Sequence, residues 1–585
     1  MCGIAGILCG RAATPPDRAV LERMVGALRH RGPDGSGIYV SGRASLLHTR
    51  LAIIDPAGGD QPICLGSAAM VANGEIYNDP QIRAALGPAH FRTGSDSESA
   101  LHLWLRDGAG YAAGLRGMYA IAIHEQGNHD LVLSRDPFGI KPLYVAEIDG
   151  RFLFASEPSA ILATGLVPRG LRADARNELL QLHFTTGRET IFPGISRVLP
   201  GETLRIEDGR ILDRQRLSAL PEGPVETLDE DAALARLDAA LADSVSAHER
   251  SDVPFGMFLS GGIDSAAVLA AMVRLGGPPV QAWTAAFDAP GAADETAAAA
   301  VLAASVGADH RVLRIGPEMV WRDLPAIVGC MDDPVADYAI IPTWFLARAA
   351  RQEVKVILSG EGGDELFAGY GRYRQAIQPW WRGGRRMRRR GTFDGLDVLD
   401  ADMSGWRDGI AAAELKSMAS PTRLAGVQAT DIAEWLPNDL LLKLDRCLMA
   451  HGVEGRTPLL DPVVADAVYR LPDAMKIRGR TGKWLLRRWL EQAMPAARPF
   501  APKQGFTVPV GTWIAAAGDR LGVLVARQAG VAEIARAPRV RALFAQAEGR
   551  RAQHAAWTLL FYALWHQIHI RGVPADGDVF AVLAA

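Results

Sequence analysis

The chain has 585 residues, of which 49% are hydrophobic and 22% charged, with 63 Lys and Arg against 66 Asp and Glu for a formal net charge of −3. That is the balance of an ordinary globular protein with room for two to four domains at roughly 100–200 residues each. It excludes a protein whose whole surface is a basic bed for nucleic acid. Five cysteines (Cys2, Cys9, Cys64, Cys330 and Cys447) form no CxxC pair and make an odd count, which suits free thiols in a reducing compartment better than a disulfide framework. The first residues lack the basic stretch of a secretory signal. No apolar run reaches the roughly 18 residues needed to span a bilayer. The longest candidate, "AAWTLLFYALWHQIHI", is interrupted by His566 and Gln567 and is predicted to be a buried helix. The expected location is the cytoplasm, with no membrane partner.

In chain order, the first 160 or so residues are rich in short strands. "CGIAGIL", "ASLLHTRLAIID", "MVANGEIY", "MYAIAIHE", "DLVLSRD", "PLYVAEID" and "RFLFASE" run apolar between Gly, Asp and Asn turns. Two helical stretches interrupt them, "DRAVLERMVGALRH" and "DSESALHLWLRD", the second with Asp96 or Ser97 as its expected cap. Strands in runs with helices set apart predict layered sheets. The segment 208–230 mixes charge, proline and glycine and reads as a boundary. Beyond it, "VPFGMFLSGGIDSAAVLAAMVRLG" reads as strand, glycine turn and helix. "VQAWTAAF", "DHRVLRI" and "EVKVILSG" are further buried strands separated by helical stretches such as "DETAAAAVLAASVG". This alternation predicts a parallel sheet with helices on both faces. After about residue 400 the pattern is almost wholly helical, and no internal repeat is visible.

Cys2 raises a chemical question. A small residue at position 2 normally permits removal of Met1, which would leave a cysteine with a free α-amino group. An α-amine titrates at about 7.7–8.0 and a thiol at about 8.5, so one residue would carry both a nucleophile and its base. By itself a cysteine at position 2 is equally read as packing. The motifs "MCGIAGIL", "LRHRGPDGSG", "HTRLAIID", "NGEIYN", "TGSDSES" and "RDPFGIKPLY" follow in order over most of the first 145 residues. Together they resemble the N-terminal-nucleophile glutaminase domain of class II glutamine amidotransferases, of the asparagine synthetase kind. The resemblance implies an α+β αββα sandwich over 2–210. It assigns Cys2 as nucleophile, Arg50 to the glutamine α-carboxylate, and Glu75 and Asp96 to its α-amino group. Asn73 and Gly74 would supply the oxyanion donors. The bland alternatives are a hairpin turn for Asn73-Gly74 and a helix cap for Asp96.

A second set of residues follows the later strands. In "FLSGGIDSA" the glycines turn the backbone tightly ahead of a helix and make an anion site. It is not a Walker loop, since GxxxxGK[ST] is missing. On its strand–turn–helix setting it resembles the pyrophosphate loop of ATP pyrophosphatases. "ILSGEGGDELFAGY" follows another buried strand, and asparagine synthetases carry a near-identical stretch. The resemblance therefore implies an α/β parallel-sheet ATP-pyrophosphatase domain with a helical C-terminal part over 229–580. It places ATP against Leu259, Ser260, Gly261, Gly262, Asp264, Ser265, Ala285, Ser359 and Gly360, and Mg²⁺ on Asp264 and Asp364. It sets Glu361 beside an acyl-adenylate. For Asp264 the plain alternative is a helix-starting aspartate.

"LLLKLDRCLMAHGVEGRTPLLD" and "PKQGFTVPVG" match later motifs of the same family. Lys503 is assigned to amide formation by analogy with the lysine at that place. Lys443, Asp445, Arg446, Glu454 and Arg456 are read either as lining the site or as ion-paired packing. In "MDDPVADYAIIPT", Asp332, Pro334 and Asp337 match the family, but Ala339 stands where many relatives have serine, which puts the carboxylate acceptor's pocket in question. The implied activity is asparagine synthesis from glutamine, aspartate and MgATP. Ammonia would pass internally along a wall that includes "RDPFGIKPLY". The alternative is a same-family amidotransferase acting on another carboxylate, such as a surface saccharide or natural-product precursor. Partners are small molecules; a homodimer is compatible with the family, and the acidic balance argues against nucleic acid. The run "WWRGGRRMRRRG", with six arginines in 382–390, falls outside the family reading. It reads as a solvated, disordered insertion, with a patch for an anionic partner as the other option.

Overall fold

The structure is a computed structural model in which residues 2–126, 130–288, 295–502 and 507–585 are described. All seven strands expected in the first 160 residues are present. They belong to two six-stranded antiparallel sheets. One sheet runs Ser196–Arg197, Tyr144–Ile148, Arg151–Ala155, Cys2–Cys9, Ala44–Arg50 and Gly35–Ser41. The other runs Arg210–Arg216, Glu202–Glu207, Asp130–Arg135, Gly117–Glu125, Ala68–Ile76 and Ile63–Leu65. Ile4, Leu46, Val71, Leu133, Phe152, Phe154 and Leu204 fill the space between the sheets. Helix Arg18–Leu28 covers the outside of the first sheet with Leu21, Met24 and Leu28, and helix Glu98–Asp107 covers the second. The result is an αββα N-terminal-nucleophile sandwich, in which apolar side chains on both faces of a strand are buried.

Residues 217–229 carry no regular element, and helix Glu230–Glu249 opens the second half. There the parallel sheet has the order Asp309–Ile315, Gln281–Phe287, Phe255–Phe258, Val356–Leu358 and Glu454–Arg456, with every pairing parallel. Four of these strands were expected and are present, but Asp309–Ile315, expected to be buried, is an edge strand with only Ile315 buried. The fifth, Glu454–Arg456, was not expected: two of its three residues are charged and yet fully buried. From Asp408 onward the chain is helical apart from this strand and one short hairpin. The expected C-terminal helix spans Arg550–Trp565 and is locked by Trp557 and Trp565, whose indole N–H groups donate to Ala336 O (2.7 Å) and Met331 O (2.9 Å).

Two expectations change. Neither Asp96 nor Ser97 caps helix Glu98–Asp107 through its side chain. Asp96 Oδ2 instead accepts from Ile76 N at 2.6 Å, because the carboxylate is drawn back onto strand Ala68–Ile76. The arginine run is not a disordered insertion either. Met387 is buried in a small core with Tyr373, Ala376 and Leu424, and the Arg388 guanidinium stacks on Trp435 at 3.9 Å.

The two halves are joined by buried charge. Arg197 of the sandwich donates Nη2 and Nε to both oxygens of Asp333 (2.7 and 2.8 Å), and Tyr144 Oη donates to the same carboxylate at 2.8 Å. Arg446 meets Glu157 and Asp332 at 2.8 and 3.0 Å. Removing one partner from such a cluster leaves the other charge buried and unpaired, at a cost of about 3–5 kcal/mol. We therefore expect Asp333→Ala to lower the free energy of unfolding in urea by about that amount, with Arg197→Met added to the same chain recovering part of the loss. Equal stability of Asp333→Ala and the native chain would refute a binding role for this pair.

Candidate functional site

Strand Cys2–Cys9 lies between Ala44–Arg50 and Arg151–Ala155, and the register sets Cys2 directly opposite Arg50. Cys2 N donates to Asn73 Oδ1 at 3.0 Å, across from the second sheet. With its oxygen so engaged, the Asn73 amide leaves Nδ2 buried and without a hydrogen-bond partner, close to Cys2. Gly74 follows at φ +152°, where an added Cβ would lie 1.9 Å from Met118 O, so no other residue fits that approach of strands. Burial raises the Cys2 thiol above its usual value, so the thiolate is not preformed and a base is needed. His48, on the neighbouring strand, is pushed down to about 3 by burial and is neutral at working pH.

Arg50 is anchored rather than free. Its Nη1 donates to Asp60 Oδ1 (2.7 Å) and Pro56 O (3.1 Å), and its Nη2 donates to Asp55 O (2.6 Å), which fixes the loop 55–60 beside Cys2. Asp96 is raised to about 6, first by burial, with its bond from Ile76 N working the other way. Glu75 is also raised by burial and by the nearby Asp96. Its Oε2 accepts from Arg456 Nη2 at 3.2 Å, while Oε1 is buried without a partner. Arg456 is bound in turn to Glu454 Oε1 (2.5 Å) and to the carbonyls of His248 and Arg250. The fifth strand of the parallel sheet thus forms the back wall of the Cys2 site. Arg31, fully buried, donates Nε to Cys2 O (3.2 Å) and its two Nη groups to Glu157 and Asp445.

The second cluster lies at the C-terminal ends of the parallel strands, where open α/β sheets bind ligands. Leu259 N donates to Trp283 O at 2.9 Å, and Leu259 O accepts from Thr284 Oγ1, which brings Leu259 and Ala285 to neighbouring strand ends. In the following loop Ser265 Oγ accepts from Ser260 N at 3.1 Å, closing the turn at the start of helix Ile263–Leu275. Gly360 is pressed against this turn: an added Cβ would stand 2.8 Å from Ser265 N. Gly261 and Gly262 complete the turn, and Ser359 and Glu361 follow strand Val356–Leu358.

Asp264 and Asp364 converge on one cation, Lys483, whose Nζ lies 2.5 Å from Asp264 Oδ2 and 2.7 Å from Asp364 Oδ1. Lys483 occupies the N-cap of helix Trp484–Ala493, where the helix dipole disfavours positive charge. Burial opposes its ammonium, but the two aspartates outweigh that and hold it protonated. No sequence motif had marked this lysine; a lone cation at a helix start was the available signal.

Beside this cluster, Lys443 Nζ donates to Asp337 Oδ2 at 2.9 Å and is kept charged by Asp337, Glu361 and Asp439 against the cost of burial. Asp439 is completely buried, and among the described residues neither of its carboxylate oxygens has a hydrogen-bond partner. Burial and the Asp337 charge raise it well above the usual carboxylate range, with Lys443 opposing. Asp439 was not singled out from sequence either. Of the five charged residues with two readings, Lys443 lines this cluster, Asp445 and Arg446 belong to the junction between the halves, and Glu454 and Arg456 back the Cys2 site. Lys503 lies outside the described residues.

We expect Lys483→Met to leave Asp264 and Asp364 as an unrelieved pair of like charges. Nucleotide-free protein should then lose stability, most strongly above the carboxylate range, and regain much of it near pH 4, where the carboxylates protonate. Urea unfolding at pH 4 and pH 8 reads this, and a pH-independent loss would contradict the assignment.

Comparison with known proteins agrees with this two-part architecture. The glutamine amidotransferase domain profile matches residues 1–216 and the asparagine synthase profile matches residues 236–567. Asparagine synthetase [glutamine-hydrolyzing] 1 of Bacillus subtilis is 31% identical, the match covering 97% of each chain. Asparagine synthetase B [glutamine-hydrolyzing] of Escherichia coli is 28% identical over 90% of this chain and 85% of its own. With an amidotransferase sandwich and a parallel-sheet synthase half built on one buried junction, the chain belongs to the asparagine synthase family.

Proposed function

We propose that the protein is a glutamine-dependent asparagine synthetase. It would release ammonia from glutamine at Cys2 and transfer it to an aspartate activated by ATP, giving asparagine, glutamate, AMP and pyrophosphate. The observation that carries the reading is the fifth strand, Glu454–Arg456, which belongs to the ATP-side sheet and bonds Glu75 behind Cys2. Two reactive centres so joined suit a product handed from one to the other.

At the first centre, removal of Met1 would turn Cys2 N into an α-amine that keeps its place on Asn73 Oδ1. That amine takes the thiol proton as sulfur attacks the glutamine side-chain carbonyl. The unpartnered Asn73 Nδ2 and the Gly74 N–H then meet the oxyanion. The protonated leaving nitrogen departs as ammonia, and water cleaves the glutamyl thioester. Arg50 would exchange part of its hold on loop 55–60 for the substrate carboxylate, while Glu75 and Asp96 would meet its ammonium group.

In water at neutral pH most ammonia would gain a proton and lose its nucleophilic lone pair. Leu51, Ile53, Met118, Phe138 and Ile140 of the sandwich pack in one continuous apolar cluster with Met257, Leu259 and Leu358 of the parallel sheet. A passage along such a cluster favours the neutral molecule, because an ammonium ion there would pay the full cost of desolvation.

At the second centre Ser260 to Ser265, with Ser359 and Gly360, surround the ATP phosphates, and Leu259 and Ala285 flank the base. Mg²⁺ is a hard cation that takes oxygen ligands and usually shares them with phosphates. Two carboxylates drawn onto one cation fit it, and Asp264 and Asp364 would hold it; it would screen the phosphate charge during attack by the acceptor carboxylate. Lys483 neutralises the departing pyrophosphate. Lys443, now on Asp337, would meet the α-carboxylate of an amino acid, and the buried Asp439, held protonated while the site is empty, would ionise against its α-ammonium group, which favours aspartate over an acceptor without an amine. Glu361 stands beside the acyl-adenylate that ammonia attacks, and Lys503 is assigned to that step.

Cys2→Ala should reduce glutamine-dependent amide formation by at least about a thousandfold and leave synthesis from added ammonium salts within twofold or so of native; loss of both in a folded chain would argue against separable centres. Asp264→Asn should cut pyrophosphate release by roughly a hundredfold while glutamine hydrolysis persists. Because Asp96 must be ionised to hold an ammonium and titrates at about 6, kcat/KM for glutamine should fall as pH drops through 6, and Asp96→Asn should abolish that limb. Mass spectrometry of reactions with glutamine, MgATP and a panel of carboxylates identifies the acceptor; amidation of a saccharide acid with none on aspartate would replace the present reading.

A further inference from the structure

Residues 371–390 hold eight arginines and no aspartate or glutamate, in a chain whose net charge is −3. Three of the eight are spent internally: Arg372 pairs with Asp431 at 2.6 Å, Arg374 donates Nη1 to Arg480 O at 2.6 Å, and Arg388 lies against the Asp431 carboxylate and on the Trp435 ring. Arg382, Arg385, Arg386, Arg389 and Arg390 are all exposed. Among the described residues none of these five is held in a salt bridge. The segment that carries them is fixed from below by Met387 in its small core, and from the side by Arg407, which donates Nη2 to Met387 O at 2.9 Å and Nε to Arg388 O at 3.3 Å. Arg407 also begins helix Asp408–Lys416, so that helix and the arginine run form one lobe.

The same lobe carries the three most exposed large apolar side chains of the described residues: Met418 at 78%, Leu415 at 69% and Trp381 at 68%. A solvated charged face has no use for them. Five arginines with no salt bridge among the described residues, on a lobe that also exposes Trp, Leu and Met, match the two demands of a bilayer surface: anionic headgroups outside and acyl chains just beneath. An RNA strand would also take the arginines and could stack on Trp381, but it gives Leu415 and Met418 no partner. No helix among the described residues is long and apolar enough to cross a membrane, so the contact is peripheral.

We propose that the lobe 371–430 is a docking surface for an anionic lipid bilayer. The five exposed arginines meet lipid phosphates, and Trp381, Leu415 and Met418 enter the interface. The proposal does not depend on which carboxylate the enzyme amidates.

Flotation of the full chain with vesicles of phosphatidylcholine plus phosphatidylglycerol, and with vesicles of phosphatidylcholine alone, tests it. Binding is expected only to the anionic vesicles and should weaken steeply with salt. Each arginine near an anionic surface is worth roughly a fivefold change in partitioning. The chain with Arg385→Glu, Arg386→Glu, Arg389→Glu and Arg390→Glu should therefore no longer float, while its glutamine hydrolysis, read at Cys2, confirms that it is folded. Trp381→Ala and Met418→Ser should each reduce binding severalfold at low salt. No flotation of the native chain, equal flotation with both vesicle types, or undiminished binding by the four-site variant would overturn the proposal. So would arginine-dependent retention of tRNA on filters together with no vesicle binding.

Discussion

A single fully buried guanidinium, that of Arg31, holds the two halves of this protein to one geometry. It reaches the backbone carbonyl of Cys2 and the carboxylate of Glu157 within the sandwich, and the carboxylate of Asp445 in the second half. Taking such a charge out of water is costly, and the cost is offset only when every donor finds an acceptor at close range. Arg197 imposes the same condition nearby. A small relative rotation of the halves would strand several charges at once. The junction therefore favours one relative placement of the halves.

The opposite arrangement marks the reactive clusters, where polar atoms are buried and left unpaired. Among the described residues Asn73 Nδ2, Glu75 Oε1 and both oxygens of Asp439 lack hydrogen-bond partners, although burial makes that expensive. Groups held in this way are compensated when a substrate arrives with the missing donors and acceptors, which is a source of specificity. Lys483 solves a related problem: it draws together two carboxylates that would otherwise repel one another. The glycines serve the same end by geometry. At Gly74 and Gly360 any side chain would push neighbouring backbone out of the site.

Much of this was legible beforehand. The seven strands of the sandwich and four of the five parallel strands follow the alternation or apolar runs of their own residues, and the SGGIDS and SGEGGDE loops are contiguous stretches whose glycines announce tight turns. Glu454–Arg456 was not legible as a strand, because its two charges offset one another and Arg456 is held as well by Glu75, 381 residues earlier. Lys483 and Asp439 escaped notice for the same reason: each is one ordinary charged residue within a helical stretch. The cap expected at Asp96 failed because a nearer donor, Ile76 N, competed for its carboxylate.

The sequence by itself determined the order of strands and helices, the place of Cys2 at the start of the first strand and the two glycine turns that follow buried strands, since each is specified by neighbouring residues through turn chemistry and periodicity. Only the tertiary structure decided which charges are buried against which, where a carboxylate is left without a partner, and that part of an arginine run is core while the rest is surface. Electrostatic pairing depends on distance in space and on exclusion of water, and neither is written in the spacing of residues along the chain.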